Sequence, residues 1–208
     1  MNKTILIIAN GPSVTKYNYG NIINTFPEIA RINDYRITGF ENFIGNKTTI
    51  WFNGASKSLK KRKDPPGKVV VFIPAEILYK KENLVVDRTP IRLGLKSSQF
   101  NLINKETMKS YEKISNINRP TTGLNSIMWS MENYQNVIIH GFDFFLNNKY
   151  HYYDSLLTKI KVNISYKEKY KERSILHDNL AESKFVKQLI KNNKIITLDN
   201  YIHKNDLL

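Results

Sequence analysis

Short apolar, β-branched runs punctuate the chain: TILIIA (4–9), TTIWFN (48–53), KVVVFIP (68–74), NVIIHG (136–141) and KIITL (194–198), with a weaker one at EIARIN (28–33). They are nearly continuous rather than alternating. Strands apolar on both sides belong in a parallel sheet flanked by helices. Helical spacing falls between them, in GLNSIMWSMEN (123–133) after the loop at Pro120, in NLAESKFVKQLIKNN (179–193), and over part of 101–115. The pattern predicts an α/β layered fold, a single Rossmann-like parallel-sheet nucleotide-binding domain with helices on both faces.

Ligands of such sheets bind outside the carboxyl ends of the strands. The residues there are Asn10, Gly11, Pro12 and Ser13 after the first run, and Arg31, Asn33 and Asp34 after the weak one. Asn53-Gly54 follows the third strand, and Gly141-Phe142-Asp143 follows NVIIH. Any one of these is ordinary turn chemistry. Three asparagines at three strand ends are harder to explain that way. Asparagine carries both a donor and an acceptor, so it can read a base or sugar edge without adding charge.

Composition narrows the picture. A chain of 208 residues with 41% apolar content suits one domain, or at most a domain plus a lid. It has no apolar run of about 18 residues, so no membrane-spanning helix is expected. The apolar stretch Ile5 to Ala9 is too short for a signal-peptide core and no small-residue cleavage site follows, so it reads as a first buried strand. With no cysteine, the chain has no disulfide, thiolate nucleophile or Cys-based metal site, as is usual in the cytoplasm. The net charge of +14 points to nucleic acid, an anionic membrane surface or an acidic substrate. Much of the excess sits in KSLKKRKDPPGK (57–68) and YKEKYKERS (166–174), each of which reads equally as solvated surface. No RNA-recognition or helix-turn-helix signature accompanies them.

The GlyProSer turn lacks the lysine and spacing of a P-loop, and GxGxxG is absent. No Asp-x-Asp follows a strand, so a metal-bridged diphosphate lacks its usual ligands, and a donor that needs no metal suits the chain better. In ArgProThrThrGly (119–123), Thr121 or Thr122 can cap the helix, and the exposed amides there attract an anion. Gly123 would let a ligand approach the backbone, although a plain capped helix start explains the same residues. His177 stands just before another helix start, with Asp178 as the expected cap. The apolar stripe of that helix is Phe185, Val186, Leu189 and Ile190. Glu182 falls on this stripe and needs a backbone or basic partner. The positive helix end favours a neutral imidazole at His177, which suits a general base; a structural histidine is the alternative. HYYD (151–154) follows a turn-like LNNK with neither strand nor helical spacing, and packing is its plain reading.

In order along the chain, these pieces resemble the sialyltransferases, chiefly the bacterial-type members of glycosyltransferase family 29. The family's large motif is similar to AlaAsnGlyProSer (9–13), ArgIleAsnAspTyr (31–35) and GlyPheGluAsnPheIleGlyAsnLysThr (39–48). The small motif resembles ProThrThrGly (120–123) running to GlyPheAspPhe (141–144). The third motif, His-Tyr-Tyr-acid, is matched by HYYD, and the last, His-x4-Glu, by His177 and Glu182. Family 42 sialyltransferases share a similar pattern, including an asparagine after the third strand, here Asn53. The matches spread over residues 5 to 198.

The resemblance implies a variant of the GT-A-type fold and inverting, metal-independent transfer of sialic acid from CMP-sialic acid to a sugar hydroxyl, with no cofactor. By position, Asn10, Gly11, Ser13, Asn33 and Asn53 would contact the donor, and Thr121, Thr122 and Gly123 would cradle CMP. His151 and its tyrosines would stabilise the departing phosphate, His177 would take the acceptor proton, and Glu182 would serve substrate binding. Where family 42 has a phosphate-binding tyrosine this chain has Phe145, so Tyr150, His151 or Tyr152 would make that contact. Vertebrate family members join the large and small motifs by a disulfide, which this chain cannot form; that fits a bacterial, cytoplasmic setting. Residues 145–176 are expected to form a lid and acceptor wall. The basic surface would meet the acidic donor and an anionic lipid-linked glycan acceptor at the inner membrane face, as in lipooligosaccharide or capsule biosynthesis. A CMP-Kdo transferase, a CMP-binding homologue without activity and a basic nucleic-acid-binding module are the other readings.

Overall fold

The computed structural model describes residues 3–144, 150–155 and 178–207. Among them, seven strands form one sheet in the order β5-β4-β3-β2-β1-β6-β7, with every neighbouring pair parallel. The strands are β1 (Thr4–Ile8), β2 (Glu28–Ile32), β3 (Ile50–Asn53), β4 (Lys68–Val71), β5 (Asn101–Leu102), β6 (Asn136–His140) and β7 (Ile196–Thr197). The helices are α1 (Gly20–Asn24), α2 (Glu41–Ile44), α3 (Ala75–Leu93), α4 (Lys105–Ser115), α5 (Thr122–Asn133), α6 (Asn179–Lys191) and α7 (Leu198–Lys204). All six apolar runs are strands, as expected.

The continuous apolar runs have the predicted consequence. Along β1, Ile5 and Ile7 point into one core while Leu6 and Ile8 point into another. The first core holds residues of α3, α4, α5 and α6, and the second holds residues of α1, α2 and α7. Helices therefore cover both faces of the sheet.

The helix expected over part of 101–115 is α4, which begins at Lys105, capped by Asn104, whose side chain accepts the Thr107 N–H at 2.8 Å. Two elements lie outside the sequence expectation, the first being the edge strand β5 at residues 101 and 102. The long helix α3 is not expected from the sequence. It carries Pro90, its backbone leaves helical geometry at Lys81, and it presents no clean apolar stripe.

β2 carries one charged residue in the core. Arg31 is fully buried, on the face of the second core. Its guanidinium donates to the carbonyls of Ile44 at 2.6 Å, Gly45 at 3.1 Å and Lys47 at 3.2 Å, and its Nε donates to the Thr48 hydroxyl. These carbonyls lie at and just beyond the end of α2, where no helical N–H remains to donate to them. Burial lowers the guanidinium pKa to about 10, which still leaves it protonated at neutral pH. The arginine of the Arg-x-Asn motif thus holds the loop 44–48 against β2. Arg31→Met would strand those carbonyls and cost about 2–4 kcal/mol of stability, measurable by urea unfolding.

Candidate active site

β1 lies between β2 and β6, so the chain leaves the two central strands in different directions there. A crevice opens at such a switch point. Beyond the strands the two segments stay paired: Ala9 N–H donates to the His140 carbonyl at 2.8 Å, and Gly11 N–H donates to that of Gly141 at 3.0 Å. A Cβ on Gly11 would sit 2.5 Å from the Asp143 carboxylate and the Gly141 carbonyl. Gly141 has φ 73°, and its Cβ would strike Val14 at 2.2 Å. Asp143 completes the lock by accepting from the Ser13 N–H at 2.9 Å and from the Ser13 hydroxyl. Asp143 is visible in the sequence after the β6 run, but nothing in its spacing assigns it this role.

The crevice is a cleft of about 560 Å³. Asn10, Gly11, Asn33, Gly54 and Ser56 line it from the strand ends. Arg119 to Leu124 line it from the start of α5, Gly141 to Phe144 from the end of β6, and His151 and Glu182 from elsewhere in the chain.

Asn10 donates its side-chain amide to the Ile32 carbonyl at 2.9 Å, and its buried Oδ1 has no partner among the described residues. An orphaned acceptor beside a cleft is ready for a ligand hydroxyl or amine. Asn33 adopts φ 49°, a left-handed conformation that asparagine tolerates. Its Oδ1 accepts from Gly54 N–H at 3.2 Å. Asn53 departs from the sequence expectation. It is fully buried, its Oδ1 accepts from the Ala55 N–H at 3.1 Å, and it is absent from the cleft wall. Gly54 and Ser56 face the cleft in its place. Ser13 likewise lies beside the cleft rather than in it, bound to Asp143.

Thr121 caps α5, its hydroxyl accepting from Leu124 N–H at 3.3 Å. Thr122 and Gly123 open the helix inside the cleft wall. Glu182 sits one helix away on α6 and is 1% exposed. Its carboxylate receives the Thr121 N–H at 2.6 Å and the Thr121 hydroxyl at 2.7 Å. The expectation of a backbone partner for this inward acid therefore holds. Glu182 fastens the start of α6 to the start of α5. Burial pushes its carboxyl up to about 7, against the pull of the two Thr121 hydrogen bonds. Among the described residues, two guanidiniums also face the cleft. Arg119 precedes α5, and Arg92 comes from α3, where it donates to the Ala55 carbonyl at 2.9 Å. Arg92 is hidden in the sequence because α3 is. Arg119 is visible there, beside Pro120.

HYYD divides its labour. Tyr152 is 5% exposed and packs edge-on against Phe40, with ring centroids 4.9 Å apart. Its backbone N–H donates to the Asn10 carbonyl at 3.2 Å, and its hydroxyl bonds the backbone N–H and carbonyl of Arg36. Its hydroxyl is thus engaged away from the cleft, which corrects the expectation that it contacts phosphate. Tyr152 instead anchors the tetrapeptide to the β1 turn. That anchor places His151 in the cleft wall, with its ring stacked on Tyr153 at 5.2 Å and its N–H held by Asp154 at 2.7 Å. Burial raises the pKa of both tyrosines. Tyr150 is half-buried and does not belong to the cleft lining. His177, Phe145, the basic run 166–174 and most of the expected lid lie outside the described residues.

The other basic run is partly structural. Arg62 donates to the Tyr35 carbonyl at 2.8 Å and lies 3.3 Å over the Tyr35 ring centroid, while Lys57, Lys60, Lys61 and Lys63 are exposed.

Fold and site together define an α/β protein with a ligand cleft across the carboxyl ends of a parallel sheet, its apolar walls carrying a few polar groups. The profile of glycosyltransferase family 29 (sialyltransferase) matches residues 3–194, and the chain belongs to that family. It is a glycosyltransferase of the sialyltransferase class. A mammalian sialyltransferase, solved in complex with Gal-beta-1-3GalNAc-ortho-nitrophenol, shares the fold with a TM-score of 0.67 and 20% identity, over 94% of this chain and 69% of that one. A second structure of a mammalian sialyltransferase gives 0.66 and 20% over 94% and 68%. The sialyltransferase CstII from Campylobacter jejuni, in complex with the substrate analogue CMP-3FNeuAc, gives 0.58 and 17% over 94% and 81%. A search of curated protein sequences finds no match.

Glu182 makes stability depend on pH. Its folded pKa lies above the ordinary 4.5, so between about 4.5 and 7 the folded chain keeps a proton that the unfolded chain releases. Its contribution to stability therefore declines as pH rises through that window and is flat above it. In Glu182→Gln this component is lost, so urea midpoints at pH 5 and pH 8 should lie closer together than in the wild type.

Proposed function

We propose that the protein is an inverting, metal-independent sialyltransferase that moves sialic acid from CMP-sialic acid to a sugar hydroxyl of a glycan or glycolipid. The observation that carries this reading is the convergence of the α5 N-terminus, Arg119, Asn10 and His151 on one cleft. A CMP leaving group needs these parts. Its phosphate gains negative charge as the bond to the sialyl anomeric carbon breaks. Fixed donors aimed at that charge lower the barrier most. The amides of Thr122 and Gly123 at a helix start, the Arg119 guanidinium and the His151 ring are such donors, and no bound metal is needed beside them. Asn10 Oδ1 would accept a nucleoside N–H or O–H.

In the reaction the acceptor oxygen attacks the anomeric carbon from the face opposite the phosphate. Its proton passes to His177, and CMP departs with the bonding electron pair. His177 stands directly before Asp178, the cap of α6, which receives the Ala181 N–H at 2.8 Å. Asn179 and Glu182 of the same helix line the cleft, which supports a base at this end of α6. The relative solved with Gal-beta-1-3GalNAc-ortho-nitrophenol makes a galactose-terminated disaccharide the first acceptor to assay. No helix among the described residues is long and apolar enough to cross a membrane. A cytoplasmic enzyme that meets an anionic lipid-linked acceptor at the inner membrane face agrees with the charge of +14.

CMP should raise the melting temperature while UDP and GDP do not; a protein indifferent to CMP would overturn the reading. Hydrolysis of CMP-sialic acid but not CMP-Kdo fixes the donor, and the reverse result replaces it. His177→Ala should lower transfer about 10²–10⁴-fold with CMP affinity near normal. Activity that survives chelator supports the metal-free mechanism, and activity restored only by Mg²⁺ refutes it.

A further inference from the structure

Arg92 faces the donor cleft, and the reaction proposed above gives it no part. It stands half-buried in the last turn of α3, with Ile77 and Val85 of the same helix also in the cleft wall. Its Nη1 donates to the Ala55 carbonyl at 2.9 Å. A guanidinium carries five N–H groups in a planar fork and stays charged at any ordinary pH. Among the described residues no carboxylate pairs with Arg92. The cleft therefore meets a positive charge with several donors in one plane. A planar anion with two acceptor oxygens, a carboxylate, matches that fork.

The bond to Ala55 fixes where this charge stands. Ala55 follows β3 in a left-handed conformation, φ 42°, which a residue with a side chain seldom adopts. Three hydrogen bonds hold the turn. Asn53 Oδ1 accepts from the Ala55 N–H at 3.1 Å, Asn33 Oδ1 accepts from the Gly54 N–H at 3.2 Å, and the Ala55 carbonyl accepts from Arg92. The turn also abuts the start of α5, because a Cβ on Gly54 would lie 3.0 Å from the Thr122 hydroxyl. Arg92 is tied through this turn to the neighbourhood of the α5 N-terminus.

The donor has a matching pair of charges. In a CMP-linked 2-keto sugar acid, the anomeric carbon carries both the phosphate oxygen and the carboxylate. A site for such a donor needs two anion-binding parts close together. The α5 amides, Arg119 and His151 serve the phosphate in the reaction above, which leaves the second charge for Arg92. The acids of the cleft lining are engaged elsewhere: Asp143 accepts from Ser13, and Glu182 accepts from Thr121. A neutral sugar on CMP would take water from the guanidinium without replacing its charge partner, and that cost disfavours it.

We propose that Arg92 binds the carboxylate of the donor sugar and selects 2-keto sugar acids over neutral sugars. The proposal rests on the transferase reading. It does not choose between sialic acid and Kdo, whose carboxylates are alike. The carboxylate keeps its charge from the bound donor to the transition state. Arg92 then holds both alike, and its loss appears in the donor KM rather than in kcat.

The test uses the full chain, the variant Arg92→Gln and two donors, CMP-sialic acid and its C1 carboxamide, which lacks the charge. Glutamine can still donate to the Ala55 carbonyl, and the melting temperature checks that the variant is folded. The KM for CMP-sialic acid should rise about 10–100-fold, as for a lost charge-assisted hydrogen bond. The kcat, the affinity for CMP and the inhibition constant of the carboxamide should stay near their wild-type values. Should Arg92→Gln not fold, Arg92→Lys loses the planar fork and is expected to weaken the acid alone. An unchanged KM overturns the assignment. So does an equal loss of CMP affinity, which would give Arg92 to the phosphate, or an equal loss for acid and carboxamide, which would make it structural. If the wild type neither hydrolyses nor transfers the donor, the transferase reading fails. Calorimetric titration with CMP-sialic acid and the carboxamide then decides Arg92 separately. A preference for the acid that the wild type shows and Arg92→Gln lacks upholds the assignment. A preference that survives in the variant refutes it, as does a wild type that binds both equally or neither.

Discussion

Gly11 and Gly141 meet where β1 and β6 leave the sheet, and a side chain on either would overlap its neighbours. The cleft depends on that close approach. With the two segments paired beyond the strands, Asn10 turns its amide toward β2, Ser13 reaches Asp143, and the carbonyl of Asn10 is left to receive Tyr152. A bulkier residue at either glycine would push the β1 turn away from the end of β6 and open the floor on which the donor is expected to lie.

Buried polar groups build the rest of the site, each by tying two distant segments together. Arg31 collects the carbonyls of loop 44–48, Glu182 joins α6 to α5, and the Tyr152 hydroxyl joins the HYYD segment to Arg36. In a low-dielectric interior such bonds are strong when satisfied and costly when broken. The same principle explains why conspicuous motif residues do not all touch the cleft. Tyr152 and Arg31 belong to the scaffold, while His151 and the α5 N-terminus face the ligand space.

Much of this is legible in the sequence because it is local. Continuous apolar β-branched runs mark the strands, Thr121 and Asp178 mark helix starts, and an acid on the apolar stripe of α6 announces a buried partner. The least legible parts depend on weak local signals. α3 carries Pro90 and mixed polarity, so neither it nor Arg92 stands out. The edge strand β5 is only two residues long and takes its identity from pairing with β4.

The sequence by itself determined a parallel α/β sheet with covered faces, polar strand ends and the motif order of a sialyltransferase, because periodicity, capping and residue order are properties of the chain. Tertiary structure alone decided which motif residues share the cleft. Asn53 and Asn33 look equivalent along the chain, yet one is sealed under the Ala55 turn and the other lines the site. In HYYD, adjacent rings point to opposite duties because Tyr152 fills a gap beside Phe40 and thereby turns His151 outward. Direction, burial and the pairing of distant segments follow from packing, which spacing along a chain does not encode.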